Sequence, residues 1–251
     1  MAVIEEGVYY FISDIHLGLN YKGPEEREKK FAAFLYSIPQ GAKAVYLLGD
    51  IFDFWYEYKN VIPRGYTRTL GAIAALVDRR VEVYFFNGNH DIWTYSYLQK
   101  EIGVRVLEQP YIFTAGDKKL CIGHGDGLGE GDYGYKFMNS IFKNKFLQLL
   151  FSGIHPRWAF MLAQKWSKHN RLVKNLPYDF KNADERIVKF SERLQQMQPS
   201  GSKIDYFIYG HFHYKTQYDL KSGGRMFLLG DWINTGNYLL FNGSEIFTCE
   251  Y

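Results

Sequence analysis

The 251-residue sequence predicts an α/β fold in which a mainly parallel sheet is covered by helices. Short apolar runs such as Val8–Ser13 and Ala44–Leu48 end abruptly in polar residues, as buried parallel strands do. Two helical patterns, roughly Glu25–Ile38 and Thr67–Asp78, lie between the first of these runs, so strands and helices alternate. The tail, Met226–Tyr251, carries short apolar runs separated by Gly-Asp and Asn-Gly turns, which indicates antiparallel strands.

Three further apolar runs complete the predicted strands, namely Val81–Phe86, Leu120–Gly123 and Ile204–Tyr209. Each of the five strands that precede the tail is followed within two residues by Asp, Asn or His, the residue types that bind metal ions. The carboxyl ends of strands form the ligand-binding edge of an open α/β sheet. We therefore expect these polar residues to meet at one edge.

The composition is that of an ordinary globular domain, with 47% hydrophobic and 23% charged residues, which excludes a disordered or fibrous chain. No apolar run reaches the roughly 20 residues of a membrane-spanning helix. The first residues lack the basic and apolar regions of a signal peptide. Two cysteines, Cys121 and Cys249, are too few for a disulfide framework or a four-thiolate zinc site. We expect one domain over residues 1–251, in a reducing cytoplasm.

Five short blocks at the strand ends carry the metal-binding residue types: Asp14-x-His16, Gly49-Asp50-x-x-Asp53, Gly88-Asn89-His90-Asp91, Gly123-His124-Gly125-Asp126 and Gly210-His211-x-His213. A single histidine at a strand end is most often structural, but a block at each of five strand ends predicts a metal site. Oxygen and imidazole ligands without thiolate suit Mn²⁺, Fe or Zn²⁺. A two-metal site stabilises the attacking and leaving oxygens of an in-line displacement at phosphorus.

In residue type, order and spacing, the five blocks resemble the motifs of the calcineurin-like metallophosphoesterase superfamily. The resemblance implies a four-layer αββα sandwich with a dinuclear site at the strand ends. It also implies a ligand set, in which one metal is bound by Asp14, His16 and His213, the other by Asn89, His124 and His211, and both by a bridging Asp50.

The same resemblance assigns roles to three further residues beside the metals. It implies that His90 contacts the phosphate or protonates the leaving group. It implies that Asp91 orients His90, because a carboxylate is a common partner of a functional histidine. Asp53 is expected to hold its loop rather than to bind a metal.

A closer resemblance is to the family of UDP-2,3-diacylglucosamine pyrophosphatases, on the runs Gly49–Trp55 and His124–Gly127, followed by Asp132 and Tyr135. Members cut UDP-2,3-diacylglucosamine into UMP and 2,3-diacylglucosamine 1-phosphate (lipid X) during lipid A synthesis in Gram-negative bacteria. The resemblance implies two divalent cations, with Mn²⁺ favoured over Fe or Zn, and a lipid-linked nucleotide sugar as substrate. The best-known members carry Arg where this chain has His90, so the motif here is the general superfamily form.

The sequence also leads to expectations about where the enzyme works and what touches its substrate. We expect a cytoplasmic enzyme that associates peripherally with the anionic surface of the inner membrane, without nucleic acid or an obligate protein partner. Of the residues at the strand ends, Asn89, His90 and His211 are expected to contact the substrate as well as to build the site.

An acid-free stretch from Tyr133 to Tyr178 is a local anomaly in a chain of 18% aromatic residues, because it carries eight Lys or Arg residues. It predicts a helical insertion at about 133–175. Tyr135–Phe151 is expected to form one helix with a broad apolar face that includes Met138, Phe142, Phe146 and Leu150, with Leu147 and Phe151 off that face. After His155-Pro156, a second helix places Trp158, Leu162 and Trp166 on one stripe and Lys165, Lys168 and Arg171 on another.

The insertion has two interpretations. It is either a helical hairpin packed on the core with a solvated basic face, or a lid over the metal site. As a lid it would hold acyl chains on its inner surface, while Lys165, Lys168 and Arg171 would meet anionic phospholipid. Asp132 and Tyr135, at its hinge, would then contact the sugar head.

Other functions remain open beside the lipid hydrolase. One is a soluble metal-dependent phosphodiesterase or phosphatase that acts on nucleotides or phosphoproteins. Another is a scaffold that keeps the fold without metals, but such a chain should have lost ligands and this one retains all seven candidates. A nuclease is disfavoured because the basic stretch is too apolar for a groove that tracks phosphates.

Overall fold

The computed structural model describes residues 7–131, 133–173 and 180–251, with side chains except at 164 and 166–173. Within these residues the strands are β1 Tyr9–Ile12, β2 Ala44–Leu47, β3 Glu82–Phe86, β4 Arg105–Leu107, β5 Tyr111–Ala115, β6 Lys118–Gly123, β7 Tyr206–Tyr209, β8 Lys215–Asp219, β9 Arg225–Leu229, β10 Asn237–Phe241 and β11 Ile246–Glu250. The helices are α1 Pro24–Ser37, α2 Thr67–Asp78, α3 Tyr133–Lys143, α4 Lys145–Ser152, α5 Pro156–Val173 and α6 Arg186–Gln196.

Two sheets form the centre of the molecule. The first has the strand order β11-β10-β1-β2-β3-β4, and the second has the order β5-β6-β7-β9-β8. Strands β1 to β4 are parallel, as are β6, β7 and β9. The predicted antiparallel tail is confirmed for β10 and β11, whereas β9 pairs parallel with β7 and antiparallel with β8.

The two sheets pack face to face, and helices cover their outer faces. Phe11 and Tyr46 of the first sheet share one buried cluster with Ile122, Ile208 and Phe227 of the second. On the outer faces, α1 and α2 pack on the first sheet and α6 packs on the second. Strands with apolar neighbours on both faces explain the near-continuous apolar runs in the sequence. The implied αββα sandwich is confirmed.

The insertion consists of α3, α4 and α5, so the single helix expected over Tyr135–Phe151 is wrong. The helical conformation is interrupted at Asn144, whose backbone is extended. Its side-chain oxygen accepts hydrogen bonds from the backbone amides of Phe146 and Leu147 at 3.0 and 3.1 Å. Asparagine is a strong helix N-cap because it satisfies these amides. The structure therefore starts a new helix where periodicity predicted a continuous one.

This break changes which side chains face the core. Phe146 and Leu150, expected on the apolar face, are 65% and 58% exposed, and Leu147 is exposed as predicted. Phe151, expected off the face, is instead half-buried against Tyr56. The prediction failed because it assumed one continuous helix past Asn144, where a new helix begins. Among the described residues no helix combines the length and apolar character needed to cross a membrane.

Candidate metal centre

All five predicted blocks lie at the carboxyl ends of strands and meet along one edge of the sandwich. The first sheet contributes the residues that follow β1, β2 and β3, and the second contributes those that follow β6 and β7. The seven predicted ligands are Asp14, His16, Asp50, Asn89, His124, His211 and His213. The site is thus assembled from both sheets.

One group of donors consists of Asp14, His16 and His213. His213 Nε2 lies 3.3 Å from Asp14 Oδ1 and 3.1 Å from His16 Nε2. His16 Nε2 lies 3.7 Å from Asp14 Oδ1. One donor atom from each residue falls within 4.8 Å of the others, a spacing that can hold a metal ion.

A second group consists of Asp50, His124 and His211, whose donor atoms also lie within 4.8 Å of one another. Asn89 Oδ1 is 3.4 Å from His124 Nε2, so the amide oxygen adjoins this group. Asp50 Oδ2 lies 3.4 Å from His124 Nε2 and 3.7 Å from His16 Nε2. A single carboxylate oxygen is therefore close to both groups, as a bridging ligand would be.

Outer contacts orient these donors. The Nδ1–H of His124 donates to the carbonyl of Leu48 at 2.8 Å, which directs Nε2 toward the site. His16 Nδ1 lies 3.2 Å from Asp53 Oδ1. The hydroxyl of Ser13 donates to Asp14 Oδ2 at 2.6 Å. Metal-binding histidines commonly rely on such partners of the other ring nitrogen to fix their orientation.

The backbone at the site adopts conformations that residues with a side chain rarely take. Eight non-glycine residues among those described have positive φ, and five are predicted ligands: Asp14, His16, Asp50, His211 and His213. Non-glycine residues held in this region cost on the order of 1–3 kcal/mol each and cluster at functional sites. A Cβ added to Gly88 would lie 2.2 Å from Asp50 Oδ1, so glycine is required for this close approach.

Two carboxylates and one imidazole of the site have pKa values shifted toward the forms that bind cations. Burial alone would raise the pKa of Asp14, but the adjacent His16 and the other imidazoles outweigh it and lower that pKa to about 2. Burial also opposes ionisation of Asp50, yet His124 and His90 hold its pKa well below the usual range. Burial and then His124 lower the pKa of His211 to about 4. Burial would lower the pKa of His124, but Asp50 raises it well above the ordinary value, so this ring must release a proton when a metal binds. Ionised carboxylates and a neutral imidazole are the forms that bind cations.

These residues fit a pair of divalent cations. Asp14 Oδ1 is buried, and no donor in the described part of the chain hydrogen-bonds to it. A buried carboxylate oxygen without a donor is costly unless a cation or another positive group faces it. The set of carboxylate, amide and imidazole donors, without thiolate, suits Mn²⁺, Fe or Zn²⁺.

The expected partnership between Asp91 and His90 is wrong. The carboxylate of Asp91 accepts four backbone amides, from Asp50, Ile51, Phe52 and Gly88, at 2.8–3.2 Å. The loop turns back after Gly88, which directs Asp91 toward the start of the neighbouring loop rather than toward the ring beside it in the sequence.

Asp53 takes the orienting role that was assigned to Asp91. The Nδ1–H of His90 donates to the Asp53 carbonyl at 3.0 Å, and the carboxylate lies 3.6 Å from the same nitrogen. Asp53 therefore contacts His16 and His90 together. The position of Asp53, three residues after Asp50, indicated a second carboxylate in this turn. That spacing did not show that Asp53 contacts His16 and His90.

The remaining predicted residues lie on the insertion. The hydroxyl of Tyr135 donates to the carboxylate of Asp126, in the loop after His124. Lys165 is exposed on α5. Asp132 and the side chains of Trp166, Lys168 and Arg171 lie outside the described residues.

A cavity of about 850 Å³ lies between the start of α5 and the segment of residues 58–66. Tyr58, Tyr66, Phe160 and Met161 give it aromatic and apolar walls, and Gly18, two residues after His16, borders it. Helix α5 and the loop after His16 therefore border a half-open cavity, whose lining also includes Glu25, Glu28, Arg64 and Arg157.

Residues 8–215 match the model of the calcineurin-like phosphoesterases. The chain belongs to this family. It is similar to a UDP-2,3-diacylglucosamine hydrolase of Porphyromonas gingivalis, with 34% identity over 251 residues that cover 94% of this chain and 95% of the relative. Enzymes of the same name from Neisseria meningitidis serogroup C (strain FAM18) and Haemophilus influenzae strain PittGG are 32% and 28% identical over 226 residues each. These alignments cover 90% and 89% of the chain, and 90% of each relative. The family and the site together make this chain a metal-dependent hydrolase.

Proposed function

We propose that this chain hydrolyses the pyrophosphate of UDP-2,3-diacylglucosamine to UMP and 2,3-diacylglucosamine 1-phosphate (lipid X) in lipid A synthesis. The observation that carries the proposal is the similarity to hydrolases of that substrate, which extends over 94% of the chain and so includes the insertion. The grouping of all the predicted donors at one edge supports the same reaction class.

In this proposal Asp14, His16 and His213 hold one cation, Asn89, His124 and His211 hold the other, and Asp50 bridges them. Mn²⁺ is favoured over Fe or Zn. When bound, two such cations polarise the phosphoryl group and provide a nucleophile at neutral pH. Asn89 and His211 stand beside the substrate as well as the metals.

His90 is the proposed acid of the site. Its Nδ1–H donates to the Asp53 carbonyl, which fixes the orientation of the ring beside the metal centre. The side chain is 20% exposed, and its ring centroid lies 4.9 Å from that of His16. A protonated ring in this position donates a hydrogen bond to a phosphate oxygen or to the departing sugar phosphate. Asp91 supports it indirectly by holding the adjoining loops.

The insertion is the proposed lid for the lipid part of the substrate. Its acyl chains would lie against apolar side chains of α3–α5 and in the cavity beside α5, while Asp132 and Tyr135 would face the sugar. Several large apolar side chains of the insertion are more than half exposed, namely Tyr133, Phe137, Phe146, Leu149, Leu150, Trp158 and Leu162. This surface and the exposed Lys165 support peripheral association with the anionic cytoplasmic face of the inner membrane, where Lys168 and Arg171 would also meet phospholipid.

The proposal is tested with protein loaded with Mn²⁺ and two substrates that share the UDP group, UDP-2,3-diacylglucosamine and UDP-N-acetylglucosamine. We expect hydrolysis of the diacylated compound only. Hydrolysis in ¹⁸O-water should place the label in UMP, because the phosphorus nearer uridine is attacked. Equal turnover of both compounds, or turnover of simple nucleotide diesters alone, would make a soluble phosphodiesterase the better description.

A further inference from the structure

Four aromatic side chains join the insertion to the loops of the metal centre. Tyr56 and Trp93 belong to those loops, and Phe142 and Phe151 belong to α3 and α4; we call this cluster the aromatic junction. Trp93 stacks on Phe151 with ring centroids 5.1 Å apart and meets Phe142 edge-on at 5.4 Å. Tyr56 lies 5.0 Å from Phe151 and 5.4 Å from Trp93.

Two hydrogen bonds fix the junction in addition to these ring contacts. The indole N–H of Trp93 donates to the carbonyl of Phe142 at 2.9 Å, near the end of α3. The hydroxyl of Tyr56 donates to the carbonyl of Gln148, within α4, at 2.9 Å. Part-buried aromatic pairs of this kind contribute about 0.5–1.5 kcal/mol beyond the area they bury. The junction is therefore a defined attachment rather than a loose contact.

The junction lies within a few residues of the groups that orient His90. Trp93 follows His90 by three residues in the loop after β3. Phe54 follows Asp53, which accepts the Nδ1–H of His90, and the ring of Phe54 meets Trp93 at 6.0 Å and Phe160 of α5 at 5.0 Å. Both ends of the contact that orients His90 are thus anchored on residues that touch the insertion.

We propose that Trp93 is a positioning residue: by seating the insertion through the aromatic junction, it holds the loop that sets the orientation of His90. This inference rests on the role of His90 in the proposed function, but not on the identity of the lipid substrate. A displacement of about 1 Å in a reacting group can lower a rate by about 10²-fold. A substitution in the aromatic junction should therefore lower the rate of hydrolysis without requiring that Trp93 contact the substrate.

The test is a double-mutant cycle on bis(p-nitrophenyl) phosphate with protein loaded with Mn²⁺. Trp93→Ala and, from the insertion side, Phe151→Ala should each lower kcat at least about tenfold while metal content stays at the wild-type level. In the His90→Ala background the same changes should lower kcat less than about twofold, because they act through His90. Trp93→Phe, which keeps a ring on Phe151, should restore most of the activity.

Phe247→Ala is the matched control, since Phe247 is 46% exposed on the edge strand β11, outside the centre and the insertion. In metal-free protein, the NMR resonances of the His90 ring should shift in Trp93→Ala and stay in place in Phe247→Ala.

Three results would overturn the inference. These are an equal loss of kcat in both His90 backgrounds, an unchanged kcat in Trp93→Ala, and loss of the bound metals in both alanine variants. Because this substrate contains no lipid, inactivity toward UDP-2,3-diacylglucosamine would refute the proposed function and leave this test intact.

Discussion

Asp91→Asn should destabilise the fold much more than the loss of one charge suggests. The Asp91 side chain is fully buried, and its two oxygens accept the amides of Asp50, Ile51, Phe52 and Gly88. Each oxygen accepts two of them, whereas the NH₂ group of asparagine accepts none. Two buried amides are therefore left without an acceptor, at about 1–3 kcal/mol each, so the free energy of unfolding should fall by about 2–6 kcal/mol.

This loss is measured by guanidinium titration and by thermal melting of protein kept metal-free with EDTA, so that metal binding does not contribute. For a chain of this size, 2 kcal/mol corresponds to a fall in Tm of at least about 4 °C. Asp117→Asn is the control, because its side chain is 73% exposed and lies 3.6 Å from Lys118. Exposed pairs contribute about 0–1 kcal/mol. A loss below about 1 kcal/mol in Asp91→Asn would refute the reasoning, since two orphaned buried amides cost more.

Three further expectations concern the centre and its surroundings. Asp50→Asn should retain at most one of the two proposed Mn²⁺ ions by elemental mass spectrometry after desalting, and full metal content would exclude a bridge. Asp53→Ala removes the carboxylate beside His16 Nδ1 and should weaken Mn²⁺ binding about 10–100-fold by calorimetry; unchanged affinity would show that this contact does not orient the ligand. Burial raises the pKa of Cys121 to about 12, so about one thiol in ten thousand is ionised at pH 8. Peptide mapping after iodoacetamide treatment of native protein should find Cys121 unmodified, and an adduct there would contradict its burial.

The apolar runs and the rule that strand ends share an edge were enough to predict that Asp14, Asp50 and His124 lie close together. Which of the residues at these strand ends bind metal was implied by the family resemblance. The apolar runs did not show that the strands form two sheets; that arrangement was implied only by the family resemblance. Strands β5 and β8 lie at the edges of the second sheet, where partial exposure weakens the apolar pattern.

Errors arose where a local contact overrode periodicity or adjacency. Asn144 caps a helix in the middle of an apolar pattern that continues through it, so the pattern alone could not place the break. Asp91 adjoins His90 in sequence, but a tight turn directs its carboxylate to backbone amides. Three of those four amides belong to a loop about 40 residues earlier, and no spacing rule reveals that partnership.

The proposed metal-binding residues are divided between the two sheets, so the complete site forms only when both sheets are correctly packed. Asp14, His16 and Asp50 arrive with one half of the sandwich, and His124 and His213 arrive with the other. Neither half can bring the full set of donors together before the sheets have docked in the correct register. On the proposed ligand set, a chain whose sheets dock incorrectly should have no turnover rather than partial turnover. Turnover of purified, metal-loaded protein should then report the fraction of molecules in which the two sheets are correctly packed.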